Sequence, residues 1–144
     1  MKEPRAQYAA LPYRRIGEDI EVLLVTSLGT KRWIIPKGWP ISGHAAHEAA
    51  AREALEEAGL EGRISSDPVG SYRYDKRRKS GAVVPCQVQV FPLDVTGQRK
   101  HWPEKGQREM KWLSPEEAAK TVSDVDLGDI ILGWTKRVRD ARGV

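Results

Sequence analysis

The sequence predicts one α+β or α/β/α sandwich, and three observations carry that expectation. Apolar, β-branched runs stand before and after a single alanine-rich helical segment, two further helical segments close the chain, and no repeat or linker interrupts residues 1–144. A chain of 144 residues buries roughly two-thirds of the surface its unfolded form exposes, so one core forms without disulfide or structural metal. With 40% hydrophobic and 31% charged residues and no apolar stretch near the ~18 residues of a membrane span, the composition excludes a membrane-embedded function. The start, Met1-Lys2-Glu3-Pro4-Arg5, carries both signs of charge with no apolar segment behind it, unlike a secretory signal, so the cytoplasm is the expected location. Cys86, the lone cysteine, lies in an apolar run and reads as a buried small hydrophobe in a reducing compartment.

The elements follow in order. Glu21-Val22-Leu23-Leu24-Val25 reads as a buried strand, bracketed by turn signals at Gly17-Glu18-Asp19 and Leu28-Gly29-Thr30. Trp33-Ile34-Ile35 is a second short strand stopped by Pro36, and Lys37 to Gly43, rich in Gly and Pro, reads as loop. From His44 to Ala58 the chain predicts a helix, with Ser42 as N-cap and Gly59 just past its end. Ala46, Ala50, Ala54 and Ala58, with Leu55, form a stripe that lets this helix lie close to a sheet, leaving the glutamates on the other face. Val69 to Tyr74 and Val83 to Val95 are expected as a hairpin around a basic loop, the second strand bending at Pro92. Arg108 to Leu113 is a further short strand. Ser114-Pro115-Glu116-Glu117 is a capping box opening a helix to about Thr121, and the apolar spacing of Ile130, Ile131, Trp134 and Val138 predicts a last helix over Asp129 to Arg139.

The net charge of +4 favours an anionic ligand, without separating a phosphate-rich metabolite from nucleic acid. Its distribution says more. Asp75-Lys76-Arg77-Arg78-Lys79 packs four cations into five residues, while carboxylates gather at Glu48, Glu53, Glu56 and Glu57. Glu53 and Glu57 stand four apart and Glu56 three after Glu53, so three carboxylates share adjacent parts of one helix face. On a bare helix such pairs cost a few tenths of a kcal/mol each. A divalent cation turns that repulsion into coordination, and oxygen donors of this kind suit magnesium or manganese shared with substrate phosphates. The plain alternative is a solvated face in which Glu48 pairs with Arg52 and Arg52 with Glu56. No rival nucleophile is offered: Cys86 sits in an apolar strand, and His44, His47 and His101 lack metal spacing.

In its frame, this helix resembles the Nudix box, G-x5-E-x7-R-E-U-x-E-E-x-G-U with U aliphatic. Gly38, Arg52, Glu53, Ala54, Glu56, Glu57, Gly59 and Leu60 agree in kind, and His44 stands where the family has its first glutamate. The resemblance extends to Trp33-Ile34-Ile35-Pro36-Lys37-Gly38 before the box and to Lys111 through Ala118 after it. It implies a Nudix-type α/β/α sandwich with a mixed sheet. It also implies Glu53 and Glu57 as metal ligands, Glu56 as a further ligand or the base that activates water, and the Lys37 carbonyl as a backbone ligand. Gly38, Arg52, Gly59 and Leu60 are the structural box positions; with His44 in the first glutamate's place, Glu48 is the expected partner of Arg52. The activity implied is divalent-metal-dependent hydrolysis of a pyrophosphate linkage, with magnesium or manganese as cofactor and no covalent intermediate.

Within that superfamily the chain looks most like the diphosphoinositol polyphosphate phosphohydrolase and diadenosine polyphosphate hydrolase group. That likeness rests on Arg32 to Gly38, on Lys76-Arg77-Arg78, and on Trp102, Gly106-Gln107-Arg108 and Trp112. The expected partner is a small-molecule polyphosphate, not a membrane, with nucleic acid as the second choice. Lys37, Gly38, Lys76, Arg77, Arg78 and Arg108 are the expected substrate contacts, with Lys79 on the same loop and Arg14 and Arg15 added by the resemblance. Trp39 is the exposed candidate for stacking on a purine, whereas Trp33 and Trp112 are expected to fill the core. Two other readings stay open: removal of pyrophosphate from RNA 5′ ends, and a non-catalytic binding module whose box has degenerated at His44.

Overall fold

The computed structural model describes residues 3–142; Met1 and Lys2 of the charged start, with Gly143 and Val144, lie outside the described residues. The chain runs β1 (Arg5–Ile16), β2 (Asp19–Thr26), β3 (Trp33–Ile34), β4 (Lys37–Gly38), α1 (Ala46–Ala58), β5 (Leu60–Ile64), β6 (Gly70–Arg77), β7 (Val83–Gln98), β8 (Met110–Leu113), α2 (Pro115–Thr121) and α3 (Val125–Arg142). The strands form one mixed sheet: β1 lies between β2 and β7, parallel to β7 and antiparallel to β2, and the other pairings are antiparallel.

Alternation along the central strands sends successive side chains to opposite faces. Leu11, Val22, Leu24, Val88 and Val90 pack on one face with Leu127, Ile131 and Trp134 of α3. Ala10, Leu23, Val25 and Leu93 pack on the other with Ala50, Ala54 and Ala58 of α1. With α1 on one side and α2 and α3 on the other, the expected α/β/α sandwich is what forms.

Three strands escaped the sequence reading: β1, β5 and the two-residue β4. β1 is poor in β-branched residues and holds Pro12, so it lacks a strand signature. Its small residues are what its position demands, because Ala9 and Ala10 are fully buried between the helical layers. Pro12 falls between the stretch of β1 that pairs with β4, at Tyr8 and Ala9, and the stretch that pairs with β2 from Tyr13 onward. β5, with its sequence Leu-Glu-Gly-Arg-Ile, is equally weak by propensity and is recruited by pairing with β7.

Other boundaries shift with consequences for the site. Lys37 and Gly38 are not loop; they form β4, paired with Ala9 and Tyr8 of β1. Helix α1 starts at Ala46, not His44, and its N-cap is Ala45, not Ser42. The Ser42 carbonyl faces His44 Nδ1 at 3.1 Å, and the Glu48 carboxylate accepts the Ala45 N–H at 2.8 Å, so Glu48 closes the helix from inside. Lys76 and Arg77 belong to β6, and only the turn beyond them is loop, held by Arg78 N–H donating to the Ala82 carbonyl at 2.9 Å. α2 opens as expected, with Ser114 Oγ accepting from Glu117 N–H at 3.1 Å, while α3 is longer than its apolar spacing suggested. No helix among the described residues is long and apolar enough to cross a membrane.

Candidate active site

Helix α1 lies against β4, and this contact builds the acidic half of the site. Gly38 admits the Glu53 side chain: a Cβ there would stand 2.5 and 2.7 Å from its two carboxylate oxygens, closer than real contacts allow. Glu57 is enclosed, its side chain 4% exposed; Oε2 accepts the Lys37 N–H at 3.3 Å and Oε1 lies 3.6 Å from Arg108 Nη1. That Oε1 is buried with no hydrogen-bond partner. Burial, the Glu53 charge and the Glu53 hydrogen bond push the Glu57 carboxyl up from its ordinary range, against the pull of Arg108 and Lys37. Burial also raises Glu53, as do the Glu56 and Glu104 carboxylates, while a hydrogen bond to Glu57 and the Arg108 charge pull the other way.

The helix terminates where these glutamates need it to. Gly59 takes φ of 70°, and its N–H closes on the Leu55 carbonyl at 2.9 Å. A Cβ at Gly59 would also collide with the Trp102 ring, so Trp102 packs on the helix end.

Spacing on α1 put three carboxylates on one face; Glu53 and Glu57 meet, but the three side chains do not form one cluster. Among the described residues no group of three His, Cys, Asp or Glu side chains is arranged to hold a metal ion. The reason is that Glu57 turns inward to Lys37 and Arg108 while Glu53 lies over Gly38. The donors still fit a hard divalent cation: they are crowded oxygens, one of them buried and unpartnered, in a space that glycine keeps clear. Arg52 is exposed and has no ion pair among the described residues, so neither the expected Glu48 contact nor the Arg52–Glu56 pair forms. Glu48 is committed to the helix cap instead.

The basic half is a cleft of about 450 Å³ that meets α1 only at Glu57. Five cations line it, Arg32, Lys37, Lys76, Arg77 and Arg108, against the two carboxylates Glu57 and Asp75. Lys37 reaches over the Tyr74 ring at 4.9 Å, and the Tyr74 hydroxyl donates to Gln7 Oε1 at 2.6 Å. Burial pushes the Lys37 ammonium down to about 8, with Glu57 pulling the other way. Lys37, Lys76, Arg77 and Arg108 thus line one cleft.

Arg14, Arg15, Arg78 and Lys79 do not line the cleft. Arg14 donates to Glu21 at 2.7 Å and lies over the Trp112 ring at 4.2 Å. Both Arg14 and Arg15 stand roughly 20 Å or more along β1 from the cleft-lining Gln7, at about 3.3 Å per residue. Three of the tryptophans each hold a cation over one ring face: Arg5 over Trp39 at 4.6 Å, Lys105 over Trp102 at 5.2 Å and Lys111 over Trp33 at 5.0 Å. The aromatic ring lining the cleft, Tyr74, already carries Lys37.

Residues the sequence reading left out are Gln7, Ser27, Thr30, Arg32 and Tyr74 in the cleft and Glu104 beside Arg108. Arg32 had a signal, since it directly precedes the strand Trp33–Ile34; Gln7 had none, because β1 itself was not foreseen. Glu104 had one too, four residues before an arginine, though in loop and not helix.

A family model described as the NUDIX domain matches residues 4–131. The chain is 38% identical over 126 residues to Nudix hydrolase 12, mitochondrial, of Arabidopsis thaliana, covering 75% of this chain and 61% of that protein. It is 30% identical over 116 residues to diphosphoinositol polyphosphate phosphohydrolase 3-alpha of Mus musculus, covering 79% and 66%. The chain therefore spans less than two-thirds of these relatives' lengths. In structure it is similar to a C. elegans Ap4A hydrolase in a binary complex, with a TM-score of 0.69, 22% identity, and coverage of 93% of this chain and 97% of that one.

Proposed function

Because the chain belongs to the NUDIX domain family, we propose that it hydrolyses a pyrophosphate linkage in a phosphate-dense small molecule, using magnesium or manganese. Enzymes of this family are generally divalent-metal dependent. The observation that carries the reading is the meeting of buried Glu57 with a cleft lined by five cations, which joins a cation-binding helix to a polyanion site.

Glu53, Glu56, Glu57 and the Lys37 carbonyl are the residues that would hold the metal. When bound, a divalent cation neutralises diphosphate charge and lowers the pKa of a coordinated water. The chain's own groups do the rest. Lys37, Lys76 and Arg77 bind the outer phosphates and hold the scissile linkage toward Glu57. Glu56 is assigned to take the proton of the attacking water. The bond from phosphorus to the bridging oxygen then breaks, and the phosphorylated leaving group departs without a covalent enzyme intermediate.

Among candidate substrates we favour a diphosphoinositol polyphosphate over a dinucleoside polyphosphate. The cleft offers five cations and one aromatic ring, Tyr74, which has a lysine over it; that balance suits phosphates on a polyol better than a stacked base. The name of the mouse relative points the same way. We also propose the cytoplasm as its location, with the buried free thiol of Cys86 in keeping with a reducing compartment; a fluorescent fusion found inside an organelle overturns that.

The test is a screen of the purified protein, with magnesium and with manganese, against diphosphoinositol phosphates, dinucleoside polyphosphates, nucleoside triphosphates and nucleotide sugars, products being separated by chromatography. Turnover that collapses in Glu56→Gln and Glu57→Gln is expected. Full activity in both variants sinks the reading, and tight binding without turnover makes the protein a binding module.

A further inference from the structure

Arg108 lines the cleft, but two of its three guanidinium nitrogens are already engaged within the protein. Its side chain is 10% exposed; Nε donates to Glu104 Oε1 at 2.8 Å, Nη1 donates to the Thr26 carbonyl at 2.9 Å, and the same Nη1 faces Glu57 Oε1 at 3.6 Å. The end of β2, the segment ahead of β8 and helix α1 therefore converge on one planar cation. Glu104 is itself tied down: its N–H donates to the Glu56 carbonyl at 3.1 Å, and its own carbonyl accepts from Gln107 N–H at 3.0 Å. The contacts leave α1 at Glu56, pass through Glu104 and Arg108, and return to α1 at Glu57.

A guanidinium holds its N–H groups in a rigid fork, so fixing Nε and Nη1 on Glu104 and Thr26 fixes the charge beside Glu57 as well. Glu57 has little else to orient it. Apart from the neighbouring Glu53 carboxyl, Oε1 has no hydrogen-bond partner and Oε2 accepts the Lys37 N–H at 3.3 Å.

We propose that Arg108, anchored by Glu104, is a positioning residue for Glu57 and not a phosphate ligand. Its kinetic consequence rests on the hydrolase reading above; the positional claim does not. A lysine at 108 keeps the charge but, as a point donor on a flexible stem, cannot hold Thr26, Glu104 and Glu57 together.

The test follows the Lys37 amide, whose hydrogen bond reports where Glu57 sits. Hydrogen exchange read by NMR is compared in the wild-type protein, Arg108→Gln, Arg108→Lys and the milder Glu104→Gln, with Glu57→Ala marking complete loss. Lys37 protection is expected to fall about tenfold or more in both Arg108 variants and severalfold in Glu104→Gln, while Val22 and Val88 in the central strands keep theirs. In parallel, affinity for inorganic tripolyphosphate is measured by calorimetry in the presence of EDTA. It should stay within about threefold of wild type in Arg108→Gln and fall about tenfold or more in Lys76→Ala/Arg77→Ala.

On a substrate the wild-type protein turns over, Arg108→Gln should lower kcat about tenfold or more with KM little changed. Unchanged Lys37 protection overturns the proposal, and so does a tenfold loss of tripolyphosphate affinity or a rise in KM at constant kcat. If the wild-type protein turns over nothing in the screen, the hydrolase reading fails and the Lys37 amide still decides the role of Arg108.

Discussion

A single methyl group at Gly38 would fall where the Glu53 carboxylate lies. Its backbone has an ordinary negative φ, so the glycine is required for space and not for conformation: the Glu53 carboxylate occupies the volume a side chain would take. Gly38→Ala is expected to leave the fold intact while displacing Glu53, lowering turnover about tenfold or more at small cost in Tm. A variant with wild-type kcat would show that Glu53 tolerates displacement. The opposite pattern belongs to Gly59, where both the left-handed φ and the Trp102 ring oppose a side chain, so Gly59→Ala should cost stability first.

Among the elements, α1 depends on small residues. Ala50, Ala54 and Ala58 are fully buried against the sheet, so the helix axis lies close enough for Glu53 and Glu57 to reach β4. Ala54→Leu should cost about 1–3 kcal/mol by overpacking, read from the urea midpoint, and should impair activity further because the helix must move outward. The last helix is fastened differently. Arg139 of α3 bonds Glu116 of α2 and Asp19 of β2, and its hydrogen bond holds the Glu116 carboxyl below its usual 4.5.

A carboxyl lowered in the folded state stabilises above its unfolded pKa, and that contribution fades as pH falls through the lowered value. Because these groups are substantially exposed, Arg139→Gln should cost under about 1 kcal/mol at pH 7. The difference from wild type should shrink as the pH falls below 4.5 and through the lowered value; a gap that persists once the carboxyl is protonated would assign the effect to packing.

The molecule as a whole separates its stability from its chemistry. The two apolar clusters on the faces of the sheet contain none of the proposed metal ligands. EDTA should therefore abolish turnover while leaving Tm within about 2 °C, measured by calorimetry. A large fall in Tm would make the metal part of the fold.

How much of this was legible in the chain depends on the range of each interaction. Glu53, Glu56 and Glu57 are neighbours by helical geometry alone, Gly59 ends the helix by its own φ, and Ser114 caps the residue three positions on, so these were readable from local spacing. The α/β/α layering was readable as well, because the order of apolar runs limits how layers can stack. Contacts across the sheet were not. Gln7 reaches Tyr74, sixty-seven residues away, only because β1 pairs with β7, and the alanines and Pro12 of β1 carry no strand signal of their own. The pairing of β1 with β2 carries Arg14 to Glu21 and away from the cleft, and folding of the 99–109 segment brings Arg108 within 3.6 Å of Glu57. Carboxylate spacing on α1 follows from covalent geometry that every helix shares; which cations face those carboxylates follows from strand register, a property of the assembled sheet.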